Sequence, residues 1–252
     1  MKSALIKKEV QENILAFKGS LWLFVITLLF SAMSYSFVGV KEMSLLAQTE
    51  MLVTFGKLVV GLGLLISVIL AAVSFSNEKE QSTLEALLLT PIAKGQLAWS
   101  KMISVLSVWL ATLILATPYL LVLSRGTQAF GLMLIFLFLI GTVLVLLFAG
   151  VAMALSILIG SSKGALMTSL ILLLVTSVPV FLSTAMTKSG LGTWLNTLSP
   201  VSSAMDLLKN MVINGHSLFF TPSSLLSVLA GGIIGLFVLQ YGISRLEFKG
   251  GE

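Results

Sequence analysis

Two features of the sequence have the residue types that chemistry uses, a serine motif and a histidine. The run Gly160–Gly164 matches G-x-S-x-G, whose serine acts as a nucleophile only on a strand-turn-helix elbow beside a histidine and an acid. This run lies between two long apolar runs of the kind that cross a membrane, so we expect it on a turn at the inner membrane face. His216, the one histidine, is expected in a loop on the outer side. The sequence therefore does not favour a hydrolase.

Metal and cofactor chemistry also lack the residues that they need. The chain has no cysteine, and no second histidine or carboxylate cluster completes a metal site. The sequence has no G-x-x-x-x-G-K-[ST] motif, and so no phosphate cradle of that kind. We expect this chain to be no enzyme by itself and to hold no cofactor.

The composition places most of the chain in a lipid bilayer. Of 252 residues, 57% are hydrophobic and 10% are charged, whereas soluble domains have about 25% charged residues. The net charge of +5 does not indicate nucleic-acid binding, because the basic residues stand at the ends of apolar runs. We expect one domain, residues 1–252, of the all-α integral membrane class.

Six apolar runs are long enough to cross a membrane, which takes about 20 residues. None contains a charged residue or a histidine. Pro118 and Pro179 predict kinks in the third and fifth runs, and Gly231 and Gly235 predict close helix packing in the sixth. The predicted spans are 21–40, 58–76, 102–123, 130–158, 165–187 and 224–244.

The basic residues predict that both termini are cytoplasmic. With the N-terminus inside, the inner segments hold ten Lys and Arg residues and the outer segments five, and positive charge favours the inner side. No small-residue cleavage site follows the first apolar run, so we expect no cleavable signal. The expected location is the plasma membrane, with several passes.

The N-terminal segment predicts an amphipathic helix that lies along the inner membrane surface. Ile6, Val10, Ile14 and Phe17 recur at helical spacing, with Lys, Glu and Gln residues between them. A polar lead-in that only sets the orientation is the alternative.

The loop between the second and third spans predicts a short cytoplasmic helix. Ser82 can cap this helix while Glu85 returns to the Ser82 amide, and Pro91 ends or bends it. So short a helix is not stable alone and needs the bilayer or a partner to pack on; a surface-lying turn is the alternative. Its apolar face consists of Leu84, Leu87 and Leu88.

The segment before the sixth span predicts two short helices that dip into the outer interface. Trp194 and Leu198 lie on one apolar stripe, Pro200 marks a break, and Leu207 and Met211 lie on a second stripe. Tryptophan suits the interface level, and irregular backbone is tolerated at membrane depth only beside protein or a wet cavity.

These segments, in this order, resemble the type-two permease family of ATP-binding-cassette transporters. Members commonly have an acidic residue, a Gly-Thr-Leu-Glu-like step, paired leucines, Thr-Pro-Ile and a later Gly-Lys; Ser82 and Ser100 stand here where glycine is usual. A second match is Leu198-Ser199-Pro200 with the following Gly215. The matching inner-loop residues are Glu78, Glu80, Thr83, Leu84, Glu85, Leu87, Leu88, Thr90, Pro91, Ile92 and Lys101.

The resemblance implies the transmembrane subunit of an ATP-driven transporter, with export as the usual direction. Two six-span subunits would enclose a passage, and separate ATPase subunits would bind ATP and Mg and move a cytoplasmic coupling helix. Trp194, Leu198 and Pro200 would belong to an outer gate of re-entrant helices. The residues implied for ATPase coupling are Glu78, Glu80, Thr83, Leu84, Glu85, Leu87, Leu88, Thr90, Pro91, Ser162 and Lys163.

A secondary transporter or channel without an ATPase partner is the alternative function. Ion-coupled carriers place ionisable groups inside their spans, and the predicted spans contain none, which counts against that class. A membrane enzyme is not supported, because the sequence has no catalytic set; a membrane scaffold or assembly factor is the remaining alternative. The expected partners are ATPase subunits, a second permease subunit of the same or a homologous chain, and membrane lipid, without nucleic acid. Apolar spans suit a lipid-like or hydrophobic peptide cargo.

Overall fold

The computed structural model is a helical bundle that describes residues 2–14, 17–38, 45–84, 93–125, 127, 129–181 and 190–246. Within these ranges the secondary structure is helical and contains no strand. Six stretches of the described chain are long and apolar enough to cross a membrane. The predicted all-α class with six candidate spans is therefore confirmed.

The helices follow one another with short connections. Candidate spans are α2, α3 with its continuation α4, α5, α6 with α7, α8, and α11. The elements are α1 Lys2–Ile14, α2 Phe17–Val38, α3 Leu45–Val73, α4 Ser76–Glu80, α5 Lys94–Leu123, α6 Phe130–Phe136, a π-helical turn Leu137–Gly141, α7 Thr142–Ile159, α8 Ser162–Ser177, a 3-10 turn Val178–Phe181, α9 Gly190–Leu198, α10 Pro200–Val212, a 3-10 turn Leu218–Phe220 and α11 Pro222–Ser244.

The helices that contain the second and third predicted spans begin further toward the N-terminus than those spans. α3 begins at Leu45 rather than at 58, so Glu50 and Lys57 lie within it. α5 begins at Lys94 rather than at 102, which places Lys101 inside a continuous helix. An apolar run marks the part of a helix that lipid tolerates, whereas the helix itself continues as far as its backbone hydrogen bonds do.

The two prolines inside predicted spans have different outcomes. Pro118 lies within α5. α8 ends at Ser177, and Pro179 lies in the 3-10 turn that follows, so Pro179 ends an α-helix rather than kinking one. Proline lacks an amide hydrogen and clashes with the carbonyl group four residues earlier. Residues 182–187 of the predicted fifth span lie outside the described residues.

α7 packs against α3, α8 and α11, and glycines set its distance from α11. A Cβ atom on Gly235 would lie 2.4 Å from Leu147 Cα, and one on Gly150 would lie 2.6 Å from the Gly235 carbonyl oxygen. A Cβ on Gly231 would lie 3.0 Å from the Leu147 side chain. Small residues let helix backbones approach closely, so the packing role predicted for Gly231 and Gly235 is confirmed.

A buried tryptophan of α5 occupies the space beside the π-helical turn. Trp109 is 1% exposed, and Cβ atoms on Gly63 and Gly141 would lie 2.3 and 2.4 Å from its ring carbons. Its Nε1 donates to Thr142 Oγ1 at 3.1 Å. The missing side chains of the two glycines make room for the indole ring, and the widened π turn lies against it.

Candidate functional site

The turn between α3 and α4 is attached to α7 by one buried serine. The amides of Phe75 and Ser76 donate to Ser156 Oγ at 3.1 and 2.9 Å, and Ser156 Oγ lies 3.1 Å from Ser76 Oγ. Amides at the start of a helix have no partner within that helix. Ser156 supplies the acceptor, so the start of α4 is held against α7.

Glu80, at the end of α4, contacts the first residue of α8 through both carboxylate oxygens. Oε1 accepts from the Ser162 amide at 2.7 Å, and Oε2 accepts from the Ser162 hydroxyl at 2.9 Å. The N-terminus of a helix has free amides and a partial positive charge, which favour a carboxylate. We call this contact between Glu80 and Ser162 the α4–α8 junction.

The turn between α7 and α8 is fixed by its own backbone and caps and by a contact from α4. Gly160 has φ +72°, the left-handed conformation in which glycine commonly ends a helix. Ser161 Oγ accepts from the Gly164 amide at 3.3 Å and caps α8. The Lys79 amino group donates to the carbonyl oxygen of Ile157, one of the last carbonyls of α7. Lys163, the second residue of α8, is exposed.

A buried ion cluster of Glu9, Glu78 and Lys101 lies beside α4. Lys101 Nζ lies 2.6 Å from Glu78 Oε1 and 3.3 Å from Glu9 Oε1. The same amino group lies 5.4 Å from the centroid of the Phe75 ring, which adds a cation–π contact. The side-chain exposures of Lys101 and Glu9 are 5% and 10%, so these charges compensate each other away from water.

α1 packs along α5 through polar groups as well as apolar ones. Ser104 Oγ donates to the Glu9 carbonyl oxygen at 2.7 Å, and Asn13 Nδ2 donates to Ser104 Oγ at 2.8 Å. Ile14 of the predicted apolar stripe packs against the core. α1 is therefore attached to the bundle beside the ion cluster, and its position along a membrane surface stays a prediction.

A cavity of about 530 Å³ opens next to the ion cluster. Charged Lys8 and Glu12 of α1 line it together with the cluster, and Leu70, Val73 and Val105 form an apolar wall. Polar and apolar linings thus meet at the point where α1, α3, α4 and α5 come together.

The backbone after α4 differs from the predicted helix cap. Ser82 has φ +55°, the left-handed region, and its amide donates to the Lys79 carbonyl oxygen at 3.1 Å. A helix cap takes extended backbone, and that amide is not free for a side chain from downstream. The backbone of Ser82 therefore differs from that of the predicted cap and is one that favours glycine; Glu85, the other half of the predicted capping box, lies outside the described residues.

The other predicted coupling residues fall partly within the described chain. Thr83 Oγ1 donates to the Glu78 carbonyl oxygen at 3.2 Å, and Leu84 is buried, with 6% exposure. The coupling residues outside the described residues are Glu85, Leu87, Leu88, Thr90 and Pro91.

The predicted outer segment forms the two short helices α9 and α10, with the break at Ser199. Ser199 Oγ accepts from the Ser202 amide at 3.1 Å and donates to the Thr176 carbonyl oxygen at 2.6 Å, so it caps α10 and attaches it to α8. Asn196 Nδ2 donates to Asp206 Oδ2 at 2.6 Å and joins α9 to α10.

The residues predicted for the outer gate have two different environments. Trp194 and Leu198 of α9 are 74% and 75% exposed. Pro200 begins α10 and lies against α11, within 3.1 Å of the Cβ position on Gly231. The second predicted stripe is buried and holds α10 in the bundle; it consists of Ala204, Leu207, Leu208 and Met211.

Almost the whole chain matches one known family of membrane proteins. Residues 3–248 match the family described as ABC-2 family transporter protein. The chain belongs to this family. None of the curated proteins matches it. This ABC-2 family protein is therefore a multi-pass transmembrane component of a plasma-membrane transporter, of a kind that in general associates with ATP-binding-cassette ATPases.

In this ABC-2 family protein, two segments named separately in the sequence meet in the tertiary structure. The resemblance implied Glu80 of one loop and Ser162 of another, and these two residues bond directly. Sequence reasoning missed Glu9 and Lys101 as partners. No pattern in the sequence singles out Glu9, because it is one of the polar residues between the apolar positions of α1.

Proposed function

We propose that this protein is the membrane subunit of an ATP-driven exporter and that the α4–α8 junction receives the movement of a separate ATPase subunit. ATP and Mg would bind that ATPase and not this chain. The observation that carries the proposal is the two-oxygen contact of Glu80 with Ser162. It connects the end of the second span with the start of the fifth, so a force on either loop reaches both.

The α4–α8 junction belongs to a set of contacts that attach both ends of α4 to the bundle. The start of α4 is held by Ser156 of α7, and the end of α4 is held by the first turn of α8. A displacement of α4 therefore acts on α7 and α8 together. Charge-assisted hydrogen bonds are stronger than neutral ones and keep a defined geometry, which suits transmission of a small movement.

The first test is purification of the protein from native membranes in mild detergent, with mass spectrometry of the proteins that accompany it. We expect an ATPase chain in near-stoichiometric amount, with ATP hydrolysis abolished when the phosphate-binding lysine of that ATPase is replaced. If neither purification nor cross-linking in intact membranes captures a nucleotide-binding partner, the proposal is wrong, and a carrier or scaffold takes its place.

The junction itself is tested with Glu80→Ala and the control Glu50→Ala, an exposed glutamate near the other end of the second span. Glu80→Ala removes both bonds to Ser162 and should lower the ATP hydrolysis that depends on the permease, with normal membrane insertion. Glu50→Ala should behave as the unchanged protein. Equal rates of ATP hydrolysis in both variants would mean that the α4–α8 junction does not take part in coupling.

The proposal includes two permease subunits around one passage, with α9 and α10 as an outer gate. Supporting it, apolar side chains face outward on several spans, including Phe24 of α2, Ile171 of α8 and Phe237 of α11, with exposures of 67%, 59% and 72%. Lipid or a second subunit would cover them. Apolar spans also support a lipid-like or hydrophobic peptide cargo.

The orientation is part of the same proposal, with both termini in the cytoplasm and α10 on the outer side. Reporter fusions at Glu252 and within residues 200–215 should give opposite sidedness, because an odd number of spans separates the two positions. The same sidedness at both positions would contradict the six-span topology.

A further inference from the structure

The ion cluster connects three elements, and only one of them contains the α4–α8 junction. Glu9 belongs to α1, Glu78 to α4 and Lys101 to α5. Glu9 and Lys101 are 8% and 4% exposed as whole residues. A buried ion pair contributes little to stability compared with apolar packing, so a role in positioning the three helices explains it better.

The attachments of the cluster are unequal in number. α1 is joined to α5 by the Lys101 contact and by two further hydrogen bonds, from Ser104 to the Glu9 carbonyl and from Asn13 to Ser104. Glu78 contacts Lys101 through one oxygen, and its buried Oε2 has no hydrogen-bond partner among the described residues. α1 and α5 therefore form the tighter pair, and the Glu78–Lys101 contact joins that pair to α4.

The surroundings allow the Glu78–Lys101 contact to change without exposing an unpaired lysine. If α4 moves, Lys101 keeps Glu9 of α1 as a partner. The cavity of about 530 Å³ lies on the same side and is lined by Glu78, so it gives that carboxylate space. Two carboxylates share one ammonium group, and losing one of them leaves a neutral pair.

We propose that Lys101 is a positioning residue through which movement of α4 reaches α1 and α5 as one unit, so that the N-terminal helix is a moving part of the coupling apparatus. This inference rests on the proposed function, because an ATPase partner must supply the movement. Glu9 holds α1 against α5, and the contact of Glu78 with Lys101 makes the position of this pair depend on the position of α4.

The test follows the position of α1 directly and needs no knowledge of the cargo. Because the chain has no cysteine, Gln11→Cys on α1 and Phe237→Cys on α11, a helix outside the α4–α8 junction, provide two exposed sites for spin labels. In the complex with its ATPase, trapping with ATP and vanadate should shift the distance between the labels by roughly 2 Å or more.

The decisive variant is Glu78→Gln, which keeps an oxygen to accept from Lys101 and removes only the charge. We expect the label distance to lose its ATP-dependent shift while the ATPase still binds and the melting temperature is unchanged. Lys101→Arg, which keeps the charge, should retain the shift. Glu12→Gln is the matched control, an exposed carboxylate one turn from Glu9 and outside the cluster.

A covalent lock tests whether α1 and α5 move together. Asn13 Nδ2 and Ser104 Oγ lie 2.8 Å apart, so a short bifunctional thiol reagent should join Asn13→Cys to Ser104→Cys, and the shift should stay intact. Loss of the shift on locking, or a normal shift in Glu78→Gln, overturns the inference. A complex that hydrolyses ATP without any shift in the unmodified chain overturns it too and leaves the proposed function standing. A chain without an ATPase partner overturns both.

Discussion

Replacing Gly235 with alanine tests the contact that sets the distance between α7 and α11. The added Cβ would lie 2.4 Å from Leu147 Cα and 2.7 Å from the Leu147 carbonyl oxygen. Both of these atoms belong to the backbone, so no side-chain rotation relieves the overlap. The helices themselves must move apart.

The size of the effect follows from that overlap. Carbon atoms in contact lie about 3.5–4.0 Å apart, so α11 must move away by about 1 Å. Overpacking of this kind costs about 1–3 kcal/mol. Alanine also favours a helix over glycine, and Gly61→Ala measures that gain alone, since a Cβ on Gly61 meets nothing within 4 Å. The difference between the two variants isolates the overlap.

Thermal unfolding of both variants in one detergent measures this difference. For a chain of about this size, 1 kcal/mol corresponds to about 2–4 °C, so Gly235→Ala should melt roughly 2–12 °C below Gly61→Ala. Gly150→Ala should also lower the melting temperature, because its Cβ would lie 2.6 Å from the Gly235 carbonyl oxygen. The double variant with Gly235 should cost less than the sum, since the helices are already apart.

Equal melting temperatures for Gly235→Ala and Gly61→Ala would refute the reasoning. That result would mean that α11 is free to move away from α7 at no cost, and that these glycines do not hold the two helices at their close distance.

Two further variants test single polar groups near α4. Ser156→Ala should lower the melting temperature, because the amides of Phe75 and Ser76 lose their acceptor and a buried unpaired donor costs about 1–3 kcal/mol. The control Ser169→Ala removes a bond only within its own helix and should lower the melting temperature less. A larger effect of Ser169→Ala would contradict this account. Ser82→Gly should raise the melting temperature, because φ +55° costs a residue with a Cβ about 1 kcal/mol; an equal gain from Ser82→Ala would contradict it.

The number of spans was predictable because lipid leaves a chain few choices. Backbone groups in hydrocarbon must bond within their own segment, so an apolar run of sufficient length becomes a helix. The predicted spans 130–158 and 224–244 therefore agree closely with the α6–α7 stretch and with α11. The N-terminal ends of α3 and α5 were not predictable in this way, since there the helix continues through charged residues.

The break between α9 and α10 was also predictable, because it depends on local chemistry. Proline is favoured at the first position of a helix and serine at its cap, and Ser199-Pro200 supplies both. The left-handed backbone at Ser82 was not predictable from the serine itself, since serine is common at caps. The one indication of this backbone conformation was that members of the family commonly have glycine at the position of Ser82.

What the sequence by itself determined is the class of the protein, its candidate spans and its family, because these depend on local composition and on short motifs. Only the tertiary structure decided that Glu80 meets Ser162 and that Lys101 stands between Glu9 and Glu78. Glu9 and Lys101 are 92 residues apart in the chain. Their distance depends on how α1, α4 and α5 pack, and packing is a property of the whole bundle rather than of any one segment.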